Sequence, residues 1–153
     1  MDDKIIKIND LLVAVYDDII DIEETAIKKG IFNDLSIKEI HTIEQIGMYG
    51  SKIMSELAQA MKVTMGTLTI TVDKLIKKGY LERRRSETDR RIVNVLLTKR
   101  GKLAYRIHEK FHHDMVAATI NQFTDEEEEI LIRALGKLND HLKDVYAGSI
   151  KNQ

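Results

Sequence analysis

The sequence contains no cysteine, no proline and no tryptophan. Without cysteine there can be no disulfide, no zinc–thiolate site and no thiol redox switch. Without proline, no helix is broken by that residue. No apolar run approaches the ~18 residues of a membrane-spanning helix, and no signal-peptide pattern opens the chain. A soluble, cytoplasmic protein with no membrane partner is therefore expected. Low-complexity segments and internal repeats are also missing. No nucleophile–base arrangement, phosphate-cradling glycine loop or paired acidic site stands out, so an enzyme is not expected. The 153 residues suit one domain with its own core.

What the chain does have is an uneven charge. The formal net charge is only −1. Residues 1–60 carry 6 Lys+Arg against 12 Asp+Glu, or −6, whereas residues 74–106 carry 12 against 3, or +9; residues 107–153 return to −4, with 5 against 9. A solvated charge run is the ordinary reading of a short cluster. This block instead coincides with a structural motif, and it is the electrostatic footprint of a polyanion-binding module. A purely protein-binding module would not explain it.

The motif lies in residues 51–101. A short amphipathic run (Ile53, Leu57, Ala58, Met61) precedes a break at Lys62-Val63. A second run, from Thr64 to Lys78, opens on an N-cap threonine and stops at Gly79. Residues 80–83 and 92–96 then read as strands around a charged tip, Ser86–Arg90. Helix, tight turn, helix and β-hairpin make a winged helix-turn-helix. The expected fold is mainly α with this small β-hairpin wing, flanked by N- and C-terminal dimerisation helices.

Those flanks carry seams. Ile5, Ile8, Leu12, Val15, Ile19, Ile22 and Ala26 alternate spacings of three and four, the stripe of a helix packed on a long partner. Glu23 and Glu24 fall on the acidic opposite face, and Gly30 ends the helix. Ser36–Glu39 is a capping box that starts a helix at Ile37. Beyond the wing a helix from Thr98 aligns Leu103, Ile107, Phe111, Met115 and Ala118, Asn121-Gln122 interrupts it, and a second capping box begins at Thr124. The last helix repeats Leu131, Leu135, Leu138, Leu142 and Val145. One domain over 1–153 is expected, with 1–32 and 103–150 forming the helical dimerisation region and 36–101 the DNA-binding module. A two-fold dimer would read a pseudo-palindrome with half-sites ~10 bp apart.

In the recognition helix, Leu68, Val72 and Leu75 facing the core would leave Gly66, Thr69, Ile70 and Asp73 outward, with Thr67 and Thr71 at the border. Thr64 caps the helix, whose first N–H groups suit a phosphate. Thr69 can hydrogen-bond a base edge and Ile70 can meet a thymine methyl. Gly66 permits close approach. No Arg, Asn or Gln lies on this helix, so the reading leans on DNA shape and an A·T-rich operator. Arg83, Arg84, Arg85, Arg90 and Arg91 arm the wing, where an arginine can enter a narrow minor groove. Lys74, Lys77 and Lys78 are placed for phosphates.

Residues 57–101 resemble the MarR family of transcriptional regulators. The similarity rests on Asp89-Arg90-Arg91, on Leu97-Thr98-Lys99-Arg100-Gly101 and on Leu75–Arg83, and the terminal helices extend it to essentially the whole chain. It implies a DNA-binding repressor in which Arg91 acts with Asp89 as its orienting partner. Residues 36–43, Val63–Thr67, Arg83–Arg91 and His108–His112 are further similar to the branch that represses bacterial fatty-acid-synthesis genes. That likeness implies a homodimer whose operator binding is strengthened by long-chain acyl groups on acyl carrier protein. An apolar pocket for the chain would draw on Ile19, Ile43, Phe111 and Met115, although a plain core position is the ordinary reading of each. Lys99, Arg100, Lys102 and Arg106 would dock the acidic carrier.

Two other readings stay open. His108 and His112, spaced i, i+4, suit a divalent metal such as zinc. With Glu24 and His41 they resemble one ligand set of zinc-sensing members, while Gly30, Ile40 and Ile107 replace ligands found there. The ordinary reading of the same histidines is as hydrogen-bonded structural or pocket-lining groups, with no cofactor at all. Release of DNA by a small aromatic or lipophilic ligand is the remaining alternative.

Overall fold

The computed structural model describes residues 2–150, with side chains through Val145. Six helices and three strands follow in the order α1 (Asp3–Lys29), α2 (Ile37–Ile46), β1 (Ser51–Ile53), α3 (Met54–Met61), α4 (Met65–Lys77), β2 (Leu81–Arg85), β3 (Val93–Leu97), α5 (Lys99–Ile120) and α6 (Asp125–Ile150). Contacts divide the chain into residues 1–109 and 110–153.

The first unit holds the winged helix-turn-helix. Ser36 caps α2 as expected: its Oγ accepts the Glu39 N–H at 3.2 Å, and Glu39 Oε2 accepts the Ser36 N–H at 2.9 Å. The break between α3 and α4 is Lys62 at φ 54°, a left-handed residue that reverses the chain. Thr64 then caps α4 through the Thr67 N–H. Gly79, at φ +81°, ends that helix where an L side chain would be strained. Leu68, Val72 and Leu75 of α4 are buried against Ile43, Leu57 and Tyr80. This places the outward face of α4 where the sequence pattern put it.

The sheet has the order β1-β3-β2, antiparallel throughout. The third strand, β1, is a feature the sequence pattern missed. The sequence pattern instead places Ile53 in the first amphipathic run. Three residues show no useful alternation, and β1 exists because Ser51, Lys52 and Ile53 pair with Leu96, Val95 and Asn94.

On α5 the buried face of this unit is Gly101, Ala104 and His108, not the stripe of larger side chains. Leu103 and Ile107 are exposed in the single chain. Small residues sit inward because α5 starts against the Gly79-Tyr80 turn that precedes β2: Thr98 Oγ1 accepts the Gly101 N–H at 3.1 Å and donates to the Gly79 and Tyr80 carbonyls. A Cβ on Gly101 would stand 2.1 Å from the Tyr80 carbonyl oxygen. Backbone cannot step aside as a flexible side chain can. Gly101→Ala is therefore expected at the upper end of overpacking costs, ~3 kcal/mol, a fall in Tm of roughly 6–12 °C for a chain of this size. A scan showing the parent's Tm would contradict the close approach.

The second unit comprises the remainder of α5 and α6. Thr124 and Glu127 form its capping box, with Oγ1 accepting the Glu127 N–H at 3.3 Å and Oε2 accepting the Thr124 N–H at 2.9 Å. Four acidic residues occupy the first turn of α6, where the helix dipole favours them. Among the described residues no helix is long and apolar enough to cross a membrane.

Candidate functional site

Two sites emerge in the first unit: a basic outer surface on α4 and the wing, and a buried carboxylate–histidine cluster behind it.

On α4, Thr64, Gly66, Thr67, Thr69, Ile70 and Lys74 are all exposed. Ile70 shows 60% of its surface. Thr69 Oγ1 donates to the Met65 carbonyl at 2.8 Å, and Thr71 Oγ1 to the Thr67 carbonyl at 3.2 Å. Their protons are committed within the helix. What Thr69 offers outward is an acceptor, which suits the amino group of adenine or cytosine in a major groove.

The wing tip is shaped by its own side chains. Asp89 Oδ1 accepts the backbone N–H of Arg91 at 2.9 Å. Its effect on Arg91 thus runs through the main chain. Ser86 Oγ accepts from the N–H groups of Thr88 and Asp89. The five wing arginines then separate. Arg83 pairs with Asp73 of α4 at 2.7 Å, and Arg84 with Glu82 at 2.7 Å. Among the described residues no carboxylate pairs with Arg85, Arg90 or Arg91, and all three are exposed.

The expectation for Lys78 needs correction. Lys78 Nζ reaches inward, donating to both carboxylate oxygens of Glu39, at 2.9 and 2.8 Å, and to the Asp34 carbonyl. It ties the end of α4 to the start of α2, which leaves Lys74 and Lys77 as the exposed cations of that turn. Arg100 is likewise held, 4.5 Å over the Tyr80 ring and bonded to the Tyr80 hydroxyl at 3.0 Å. That hydroxyl donates to Asp34 at 2.6 Å. Burial and the Asp34 carboxylate together push the Tyr80 phenol up to about 12, outweighing Arg100.

The cluster behind this surface joins α1, α2 and α5. Glu23 is 1% exposed and His108 5%. Glu23 Oε1 lies 2.7 Å from His41 Nε2 and 2.8 Å from His108 Nε2. The other ring nitrogen of His108, Nδ1, lies 2.6 Å from Glu44 Oε1. Burial alone would lower the His108 pKa. The Glu44 hydrogen bond and the charges of Glu44 and Glu23 overcome it and raise the value above 6.5.

This corrects the sequence reading of the carboxylate. Glu24 is exposed and pairs with Lys28 one turn away, at 3.7 Å; Glu23 is the residue that turns inward. Glu44 was missed altogether. His112 follows His108 by one turn on α5 and lies tilted beside Phe111, with ring centroids 5.4 Å apart and the rings inclined at 60°. Of the residues expected to line an effector pocket, Ile43 is fully buried in the winged core and is a core residue. Ile19 lies on the exposed side of α1, while Phe111 and Met115 are half-buried on α5.

Comparison with known proteins is consistent along the chain. Residues 35–93 match the MarR family. The structure of Streptococcus pneumoniae FabT in complex with DNA is 39% identical, with a TM-score of 0.87 over 91% of this chain and 97% of that one. A MarR family protein from Bacillus stearothermophilus, 18% identical, shares the fold at a TM-score of 0.81, covering 92% and 96% of the two chains. The HTH-type transcriptional repressor YetL of Bacillus subtilis is 31% identical over 88 residues, which span 58% of this chain and 53%, about half, of YetL. The winged helix-turn-helix fold is thus shared architecture, and the chain belongs to the MarR family of winged helix-turn-helix transcriptional regulators.

Proposed function

We propose that this chain is a homodimeric repressor that binds a pseudo-palindromic, A·T-rich DNA operator and controls fatty-acid-synthesis genes. Long-chain acyl groups on acyl carrier protein are the proposed co-repressor. The observation that carries the DNA reading is the +9 block, which begins with the exposed Lys74 and Lys77 at the end of α4 and continues to Arg85, Arg90 and Arg91 at the wing. The likeness to FabT in complex with DNA supports the same reading and motivates the fatty-acid assignment. Homodimerisation is supported by the apolar stripes of α1 and α6, which are exposed in the single chain: Ile5, Ile8, Leu12 and Val15 on one, Leu135, Leu142 and Val145 on the other. Soluble proteins rarely leave such contiguous patches bare.

The test is a fluorescence-anisotropy titration onto a palindromic promoter fragment from a fatty-acid-synthesis operon. A scrambled duplex of equal length is the control, and salt is varied. Phosphate neutralisation predicts an affinity loss of ~10³-fold or more between about 50 and 200 mM salt. Equal affinity for the scrambled duplex, or no salt dependence, would overturn the operator reading. Tightening by acylated, but not unacylated, carrier protein is expected. Unchanged affinity with the acylated carrier would remove the co-repressor while leaving the DNA reading intact.

A further inference from the structure

We propose that Ser86, at the neck of the wing loop, is a phosphorylation site for an arginine-directed serine/threonine kinase, and that its phosphate takes the wing off DNA. The second half rests on the DNA-binding reading above; the first does not.

Residues 83–86 read Arg-Arg-Arg-Ser. A kinase that selects its substrate with carboxylates needs guanidinium groups just upstream of the acceptor hydroxyl, because each can form a bidentate, charge-assisted pair. Ser86 has three of them in succession. Thr88 is separated from Arg85 by Ser86 and Glu87. Thr64, Thr67, Thr69 and Thr71 have no arginine nearby upstream, and they cap or lie within the regular helix α4, whose backbone does not extend into a substrate groove.

The fold presents the segment in the form a kinase requires. β2 is an edge strand, paired with β3 and not with β1, and its residues Glu82 to Arg85 are exposed. The arginines therefore already lie on extended backbone with an open flank. Ser86 follows directly where the strand ends and is half-buried. Its N–H donates to the Ile92 carbonyl at 2.9 Å, which brings Arg85 and Arg91 to the two sides of the loop neck.

The step is a phosphoryl transfer from Mg-ATP. Ser86 Oγ forms a bond to the γ-phosphorus, and the bond from that phosphorus to the β–γ bridging oxygen breaks. ADP leaves, and the hydroxyl proton passes to the kinase's catalytic carboxylate. The product carries about −1.5 to −2 charges at pH 7. They arrive in the loop that holds Arg85, Arg90 and Arg91, with which no carboxylate among the described residues pairs. Pairing within the wing withdraws these guanidinium groups from DNA, and the remaining negative charge repels the DNA backbone. Both effects lower affinity. The tip need not unfold to hold the group. The N–H groups of Thr88 and Asp89 already converge on Ser86 Oγ, each at 3.3 Å, and successive amides of this kind accommodate an anion.

Full-length chain is treated with Mg-ATP and the catalytic subunit of cyclic-AMP-dependent protein kinase, an arginine-directed enzyme. Intact mass should show a single added phosphate, and peptide mapping should place it on Ser86. Operator affinity by fluorescence anisotropy should then fall by ~100-fold or more, with the dependence of log K on log salt flattened by about one unit per arginine withdrawn. A serine/threonine phosphatase should restore both. Ser86→Ala should take up no phosphate, and kinase treatment should leave its own affinity unmoved. Thermal melts of the parent before and after treatment should coincide, which separates charge from unfolding. Phosphate on Thr88 in place of Ser86, or no incorporation, would overturn the site. A phosphorylated chain that binds operator like the untreated one would overturn the switch. Failure of the untreated chain to bind operator would refute the repressor reading and the switch with it, while the mapped phosphate still decides Ser86.

Discussion

Replacing Leu135 and Leu142 together by aspartate is expected to convert the protein to a folded monomer. Both side chains lie on α6 and are 51% and 57% exposed in the single chain, so the change costs the isolated fold little. In a two-fold interface each position occurs twice. The variant thus removes four leucines from an apolar seam and replaces them with four carboxylates. Burying a leucine contributes about 1.5–3 kcal/mol, so the lost burial alone amounts to roughly 6–12 kcal/mol of association energy. A tenfold change in affinity corresponds to about 1.4 kcal/mol, and dimerisation should therefore weaken by at least ~10⁴-fold. Light scattering after size exclusion should give the monomer mass with helical circular dichroism retained. Operator affinity should collapse with it, because one winged module addresses one half-site. A variant that remains dimeric at the parent's concentration would contradict the assignment of the α6 stripe to the interface.

The same exposure argument explains what the sequence made legible. Caps are local chemistry, and Ser36, Thr64 and Thr124 each mark a helix start within one residue. The α4 pattern was readable because its buried residues, Leu68, Val72 and Leu75, are all large and apolar. Where burial uses other residue types, the reading failed. On α1 the strongest stripe is the one the single chain leaves exposed, while the side facing α2 carries Ile20, Glu23 and Ile27. A glutamate between two isoleucines at spacings of three and four was a usable signal, but it was absorbed into the acidic face. On α5 the inward residues are glycine, alanine and histidine. Such a stripe has almost no hydrophobic contrast, and only the approach of the Tyr80 carbonyl explains it. The pairing of Glu44 with His108, 64 residues apart, had no local sign, nor did the pairing that creates β1. Similarly, the inward turn of Lys78 depends on Glu39 being held at the start of α2 by its own cap.

Substituting Arg90 and Arg91 together by alanine is expected to weaken operator binding by ~10³-fold or more without changing the thermal stability of the dimer. Both arginines are exposed and no carboxylate among the described residues pairs with them, so the folded chain loses no ion pair. In contact with DNA they differ from their neighbours. Arg83 must share its charge with Asp73 and Arg84 with Glu82, while the tip residues bring theirs undiminished. Asp89 fixes the Arg91 backbone at 2.9 Å and thereby limits the conformations that the side chain samples before binding. Each lost arginine contact is worth about 1–3 kcal/mol, and a dimer repeats both contacts in each half-site. Four charges removed from the interface should also flatten the dependence of log K on log salt by about two to four units. Arg84→Ala is the comparison. Its guanidinium is already neutralised by Glu82, so its removal should cost far less affinity and alter the salt slope little. If Arg84→Ala weakens binding as much as the double substitution, the wing contributes through net charge alone, and the specific role of its tip is refuted.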